Sequence, residues 1–184
     1  WIDAARGAAL LLMLAFHWQV DRVDFFAQPG DYRQGIWWLT GKASVWLFLL
    51  LAGVVAKRGA AGRNLRVAGA ALLVSLATYL VMPEAYVRFG ILHLLAAAGA
   101  CTPWLQSWSP GRLLVLAAAL GAGWFLPDTP WTTSWVFGPH APAATIDHYP
   151  AIPWLGVYVA GLALGRAGGR VAFVRNNQIV LAEG

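Results

Sequence analysis

Five residues that could exchange a proton stand near the ends of long apolar segments. His17 is followed four residues later by Asp21, a spacing that puts both on one face of a helix. His93 opens a later apolar segment, and Asp147 and His148 precede another. A histidine can take a proton from an amine or hydroxyl, and a nearby carboxylate fixes its tautomer and stabilises the imidazolium. We therefore predict proton-transfer chemistry with His17 as the base and Asp21 or Asp147 as its partner.

Each of these residues also has a purely structural interpretation. His17 and Asp21 would then be interfacial residues in contact with water, and His93 would bind a backbone carbonyl. Lys42, inside an apolar segment, would extend outward to water or pair with Asp147. Two histidines in helices are a weak signal for haem, and no tight His/Cys/carboxylate spacing indicates a metal. We expect neither haem nor a metal.

Composition indicates the environment in which these residues work. The chain has 184 residues, of which 59% are hydrophobic and 11% charged, with a mean hydropathy of +0.60. Soluble domains are about 25% charged, so a lipid bilayer is the solvent that this composition predicts. The net charge is +5, but its cations stand in short loops, which favours a role in membrane topology over nucleic-acid binding.

Six apolar segments approach the roughly 20 residues that a spanning helix needs. We predict an all-α, polytopic bundle of about six transmembrane helices in one domain over residues 1–184. The tail after residue 167 is predicted as either a surface segment or a further helix. The predicted spans are 4–20, 36–56, 65–82, 89–107, 112–127 and 152–167.

The Lys/Arg distribution predicts the orientation of this bundle. With a cytoplasmic N-terminus, nine basic residues lie inside and three, Arg22, Arg33 and Arg88, lie outside. Under this topology the residues of the proton-transfer prediction collect on the outer side. We expect an integral protein of a bacterial inner membrane.

The inner side carries two groups of cations. Asp3 and Arg6 are spaced as a local ion pair, unless Arg6 meets an anionic ligand instead. The second group anchors the inner side by its charge, and it could also hold the phosphates of a cofactor such as coenzyme A. No GxxxxGK[ST] or GxGxxG motif supports phosphate binding. The second group is Lys57, Arg58, Arg63 and Arg66.

Three stretches resemble one family. IDAARGAALLLMLAFHWQVDRVDFF (2–26) resembles the opening of membrane acyltransferases, VRFGILHLLAAAGA (87–100) contains FGILH, and IDHYPAIPWLGVYVAGLALGR (146–166) contains a (D/H)-Y-P-x-x-P-W-x-G pattern. In this order they are similar to bacterial relatives of heparan-alpha-glucosaminide N-acetyltransferase, over most of residues 2–166. The motif positions that match are Asp3, Arg6, His17, His93, Asp147 or His148, Tyr149, Pro150, Pro153 and Trp154.

The resemblance implies transfer of acetyl from cytoplasmic acetyl-CoA to an amine or hydroxyl of a sugar or glycan on the outer side. It places the acceptor beside the outer polar residues and coenzyme A beside the inner basic ones. The stretch FFAQPGDY holds no histidine like the one in the first outer loop of the lysosomal enzyme. The alternative is therefore a catalytically degenerate accessory subunit of a larger membrane complex. A homo-oligomer also stays open.

The ends of the chain carry a further expectation. The sequence opens on Trp1 rather than Met, so we expect residues before it. Family members continue into a final helix with a His-Gln-Pro-like motif, which this sequence lacks. Two expectations stay open: either a further C-terminal helix follows Gly184, or the protein has diverged from the family.

Overall fold

A computed structural model describes residues 2–56, 61–126 and 147–182, the last fourteen of these by their backbone alone. Within those ranges the chain forms six α-helices and one short 3₁₀ helix, Ala122–Phe125. The same ranges hold no β-strand, only an isolated parallel bridge between Phe89 and His148. The prediction of an all-helical membrane fold is confirmed. The helices are α1 Ile2–Asp24, α2 Gly35–Val54, α3 Ala61–Val81, α4 Ile91–Leu105, α5 Pro110–Gly121 and α6 Ala151–Ala182.

Each predicted span corresponds to one helix, and the differences lie at the ends. Ser109 caps α5 by accepting a hydrogen bond from the N–H of Arg112, with Pro110 directly inside the helix. The helix α5 then tightens into the 3₁₀ turn instead of running on. The ambiguous tail continues α6 as helix to Ala182. At the start of α6, Ile152 is non-helical and its peptide bond to Pro153 is cis.

In the part of the chain that the structure describes, three helices are long and apolar enough to cross a membrane: α2, α3, and α6 over Ala151–Gly168. The helix α1 is long, but it carries Arg6, His17 and Gln19 among its apolar residues. The apolar helix α4 has 15 residues, or about 22 Å at 1.5 Å per residue, against a hydrocarbon core of about 30 Å. Large apolar side chains of α3 are exposed, Leu80 by 72%. A bilayer covers such surface, and the protein is an integral membrane protein.

The chain divides into two compact units, Trp1–Leu51 and Ala52–Gly184. In the first unit, the Ser44 hydroxyl donates to the carbonyl of Ala9, 3.0 Å away, and links α2 to α1. Gly41 of α2 makes room for a ring of α1, since a Cβ there would lie 2.9 Å from Phe16. The prediction of one domain over residues 1–184 stays a prediction.

Glycines allow the helices of the second unit to pack closely. A Cβ at Gly53 would lie 2.1 Å from the carbonyl oxygen of Tyr158, and one at Gly165 would lie 2.3 Å from that of Val54. Gly156 brings α6 similarly close to α5, with Ala117 O at 2.9 Å. In lipid, helix association depends on such van der Waals contact. These contacts fix α6 between α5 and the end of α2.

The second unit has two polar ends. At the first, which we call the histidine end, α3 finishes and α4 and α6 begin. At the second, the arginine end, α2 finishes, α3 begins and α4 finishes. Between these two ends, the buried hydroxyls of Thr102 and Tyr158 form a hydrogen bond that joins α4 to α6, with their oxygens 2.5 Å apart. The histidine end comprises Ser75, Thr78, 87–93 and 147–154; the arginine end comprises Ala56, Arg63, Arg66, Gln106 and Arg166.

Candidate functional site

The histidine end brings together the FGILH and DHYP stretches. The N–H of Tyr149 donates to the carbonyl of Phe89 at 3.0 Å, which completes the parallel bridge between Phe89 and His148. The N–H of Ile91 donates to Oδ2 of Asp147 at 3.0 Å. Backbone pairing thus places Asp147 and His148 beside the first turn of α4, which also carries His93. Three of the five residues in the proton-transfer prediction are neighbours.

Hydrogen bonds fix the tautomer of His93. The N–H of Gly90 donates to its Nδ1 at 3.3 Å, so Nδ1 carries the lone pair. The Ser75 hydroxyl donates to the carbonyl of Val87 at 2.6 Å, so it accepts from His93 Nε2 at 3.2 Å. The ring is therefore neutral, with its proton on Nε2. In this arrangement neither nitrogen offers a lone pair to a substrate.

The carboxylate of Asp147 lies over the backbone at the start of α4. A Cβ at Gly90 would stand 2.1 Å from Asp147 Oδ2, so only glycine allows this approach. The first N–H groups of a helix lack partners inside it and carry partial positive charge. Asp147 therefore caps α4 from a segment 56 residues away in sequence.

Aromatic rings enclose the other side of this segment. Trp154 is 1% exposed, with the rings of Tyr149 and Trp124 packed edge-on against it at 5.0 and 5.1 Å. Burial, and then the negative charge of Asp147, raises the pKa of the Tyr149 phenol well above its ordinary value. Tyr149 is neutral at physiological pH.

Two hydroxyls of α3 hold the segment before α4, and sequence reasoning missed both. Thr78 Oγ1 accepts from the N–H of Val87 at 3.0 Å, and Ser75 binds the carbonyl of the same residue. Val87 is 4% exposed, so its backbone groups need such partners. The sequence feature that could have identified them is a Ser and a Thr three residues apart in an apolar helix.

The first unit holds His17 and Asp21 on α1. The Nδ1–H of His17 donates to the carbonyl of Met13 at 2.9 Å, because a carbonyl only accepts. Nε2 therefore carries the lone pair of an exposed imidazole, which suits a base. Within the residues described, no hydrogen bond or ion pair joins His17 to Asp21. A backbone carbonyl, rather than that carboxylate, sets the tautomer.

Gln19 is the buried polar side chain at this level of α1, and sequence reasoning did not single it out. It is 4% exposed, and its Oε1 has no hydrogen-bond partner in the described part of the chain. Gly30, at a φ of +156°, approaches its amide so closely that a Cβ would lie 2.7 Å from Nε2. Residues two apart on a helix face different ways, so Gln19 and His17 point to different surroundings.

The cations predicted to hold phosphates differ in their partners. Arg6 forms the expected pair with Asp3, 3.0 Å apart, with the Asp3 side chain 92% exposed. Arg66 Nε donates weakly to the carbonyl of Gly62, at 3.4 Å. Arg63 is exposed at the start of α3 and lies within electrostatic range of the Tyr158 hydroxyl. Lys57 and Arg58 fall outside the described residues.

Arg166 and Gln106 join three helices at the arginine end, and sequence reasoning gave neither a role. Arg166 Nη1 donates to the carbonyl of Gln106, the residue that caps α4. The Gln106 side chain donates in turn to the carbonyl of Ala56, just after α2, at 2.9 Å. Arg166 Nε is buried without a hydrogen-bond partner among the described residues.

A metal would need at least three suitable ligands in one place. No group of three His, Cys, Asp or Glu side chains arranged for this occurs in residues 2–56, 61–126 and 147–182.

Comparison with known proteins identifies the family. The family model described as "Heparan-alpha-glucosaminide N-acetyltransferase, catalytic" matches residues 1–179. The match covers the first unit, the second unit up to residue 179, and the residues of both ends. No curated protein and no solved structure matches the chain.

Proposed function

The chain belongs to the heparan-alpha-glucosaminide N-acetyltransferase catalytic family, a family of membrane acetyltransferases, and from that membership we propose that it transfers acetyl across the membrane. The donor is cytoplasmic acetyl-CoA, and the acceptor is an amine or hydroxyl of a sugar or glycan on the outer side. The observation that carries the proposal is the family match over residues 1–179.

The direction of transfer follows from the distribution of cations. From the positive-inside rule we propose that the arginine end faces the cytoplasm of a bacterium that holds this protein in its inner membrane. The histidine end then faces outward. Along α4 the two ends are separated by about 22 Å, less than a full hydrocarbon core, which shortens the path between donor and acceptor.

His17 supplies the base in this proposal. Its Nε2 takes a proton from the acceptor as the amine or hydroxyl attacks the thioester carbonyl carbon. A C–N or C–O bond forms, the C–S bond breaks, and coenzyme A leaves as a thiolate that then takes up a proton. Asp21, one turn further along α1, favours the transient imidazolium by its charge.

The other site residues hold the two substrates. His93, Asp147 and His148 shape the acceptor side through the hydrogen bonds of the histidine end, with His93 neutral. The cations of the inner side attract the phosphates of coenzyme A, which carry charge that arginine binds in a bidentate way. These cations are Arg6, Lys57, Arg58, Arg63 and Arg66.

The test uses the protein in proteoliposomes with radiolabelled acetyl-CoA on the arginine-end side and glucosamine on the other. We expect labelled acetylated product in the compartment of the acceptor. In the His17→Asn variant, the amide keeps a donor for the Met13 carbonyl but lacks a base. Because a general base contributes about 10²–10⁴-fold, kcat should fall at least about 100-fold.

Thr40→Ala is the matched control, since among the described residues the Thr40 hydroxyl bonds only to the carbonyl of Ile36 in its own helix. It should leave the rate unchanged. Full activity of His17→Asn removes this residue from the mechanism. A folded wild type that neither binds acetyl-CoA nor forms product contradicts the transferase proposal and favours the accessory subunit.

A further inference from the structure

The segment that links α1 to α2, residues 25–34, folds back on α1, and we call it the strap. Positive φ angles stand near both of its ends, +49° at Ala27 and +64° at Gly35, the first residue of α2. A residue with a side chain, such as Ala27, adopts this conformation only at a cost. The N–H of Gln28 binds the carbonyl of Arg22 at 2.9 Å. A strained residue and a tie to α1 are therefore adjacent at the start of the strap.

The middle of the strap covers one stripe of α1. Gly30 packs so closely that an added Cβ would lie 2.7 Å from Gln19 Nε2 and 3.4 Å from Val23 Cγ2. Two residues later, the ring of Tyr32 meets that of Phe16 edge-on, with the centroids 6.2 Å apart. The three covered residues of α1 are spaced i, i+3 and i+7, which places them on one face of the helix.

Gln19 is the polar member of this stripe. Its side chain is 4% exposed, and its Oε1 is closed to solvent and has no hydrogen-bond partner in the described part of the chain. An unpaired buried oxygen disfavours the closed arrangement by roughly 5- to 150-fold in an equilibrium constant. An apolar side chain between Phe16 and Val23 would avoid this penalty. Because Gly30 lies on the amide, movement of the strap away from α1 brings water to it.

A hydrogen bond opposes this movement. The Tyr32 hydroxyl donates to Asp24 Oδ2 at 2.8 Å, which ties the strap to the last residue of α1. A bond to a charged carboxylate is stronger than one between neutral groups. Burial, and then this bond to Asp24, raises the pKa of the Tyr32 phenol. The hydroxyl therefore remains a donor at physiological pH.

We propose that the strap is a lid over this stripe of α1, which the bond between Tyr32 and Asp24 holds closed and which the buried amide of Gln19 favours opening. The two opposing contributions are of similar size, so both states are accessible. Closing also brings Tyr32 onto Phe16, whose ring meets that of His17 edge-on at 5.8 Å. The lid thus lies beside the base of the proposed function, but the inference does not rest on that function.

The test is hydrogen exchange of the Gln28 amide, measured by NMR in detergent micelles without substrate, because its bond to Arg22 opens with the strap. Gln19→Met removes the unpaired oxygen and keeps the length of the side chain. We expect exchange to become roughly 5- to 150-fold slower. Tyr32→Phe keeps the ring and breaks the bond to the carboxylate, so exchange should become about 5-fold faster.

Tyr79→Phe is the matched control, since Tyr79 is an exposed tyrosine of α3 in the second unit. It should leave exchange of the Gln28 amide unchanged. Asp24→Ala should accelerate exchange as much as Tyr32→Phe does, and the double variant should go no further. If Gln19→Met does not fold, Gln19→Leu replaces it, because leucine also removes the amide.

Unchanged or faster exchange in the folded Gln19→Met or Gln19→Leu variant overturns the inference, because the amide would then hold the strap closed. Additive effects of Asp24→Ala and Tyr32→Phe overturn it too, since the two side chains would then act separately. Neither outcome depends on acetyl transfer. Slower exchange in Gln19→Met of a protein that transfers no acetyl supports the lid and contradicts only the proposed function.

Discussion

At the histidine end of the second unit, polar side chains bind backbone groups of neighbouring segments, whereas at the arginine end long guanidinium and amide side chains reach the carbonyls that follow α2 and α4. Both ends lie on the same helices, α4 and α6. The first end uses hydroxyls, a neutral imidazole and a carboxylate at a helix start, all of which find partners within the fold. The second joins α6, α4 and the end of α2 through guanidinium and amide donors that bind backbone carbonyls.

The difference indicates that the two ends contribute differently to the stability of the protein. A satisfied hydrogen-bond network inside a low-dielectric environment rigidifies the segments that it joins, so the histidine end presents a fixed surface. The arginine end instead presents exposed cations, Arg63 and Arg66, at the start of α3. Substitutions at the first end should therefore lower stability more than substitutions of exposed side chains at the second.

The largest loss of stability is expected from Gly90→Ala. The new Cβ would overlap Asp147 Oδ2 and approach Val87 Cγ1 to 2.8 Å. Overpacking costs about 1–3 kcal/mol and loss of a helix cap about 1 kcal/mol, so unfolding should become easier by about 3 kcal/mol. Thermal unfolding in detergent measures this change.

The control is Gly69→Ala in α3, where an added Cβ meets nothing within 4 Å. It should leave stability unchanged or raise it by about 0.5–1 kcal/mol. Equal stability of Gly90→Ala and wild type would mean that the Asp147 cap does not hold the histidine end together.

A smaller loss is expected from Ser75→Ala. The substitution leaves the Val87 carbonyl and the Nε2–H of His93 without their shared partner, at a cost of about 1–3 kcal/mol. The tautomer of His93 should then become mixed, which ¹⁵N chemical shifts of its ring nitrogens report.

Ser107→Ala is the matched substitution near the arginine end, where the serine hydroxyl is exposed and bonds only to the carbonyl of Trp104 in the preceding turn. We expect a change within about 0.5 kcal/mol. Equal effects of the two serine substitutions would remove the contrast between the ends.

The smallest effect is expected from alkaline pH, through Tyr149. Its pKa is raised in the folded state, so its contribution to stability is complete below the unfolded pKa of about 10. The contribution is lost as pH rises toward the folded pKa, by roughly 1 kcal/mol at pH 11. Tyr149→Phe should flatten this part of the stability profile, measured by thermal unfolding at pH 8–11. The arginines stay charged throughout this range, and an identical profile in both proteins would place the titration elsewhere.

The sequence predicted the helices better than their ends. Long apolar runs allow little but helix in a bilayer, because each backbone polar group must be satisfied within its own segment. The ends depend on local chemistry, such as the Ser109 cap of α5, or on the absence of a stop, as in α6, which contains no proline beyond Pro153. The number of helices was therefore predictable, and their lengths were less so.

The candidate site was predictable in its members but not in its bonds. The family pattern indicated His93 and Asp147, yet nothing in their spacing showed that Gly90 lies between them. Likewise, His17 was predicted to pair with a carboxylate, but its Nδ1–H binds the carbonyl of Met13, one turn earlier on the same helix. A helix always offers such a carbonyl, and only the rotamer decides whether the ring uses it.

The sequence by itself determined the solvent, the helical class and the family, because each rests on composition or on ordered motifs that need no knowledge of contacts. Only the tertiary structure decided which polar groups are satisfied. It brings Ser75 to His93 and Asp147 to the start of α4, and it joins Arg166 to the carbonyl of Gln106. The reason is physical: hydrogen bonds between segments 18 to 60 residues apart depend on how close two helices approach, and that distance is set by packing at glycines.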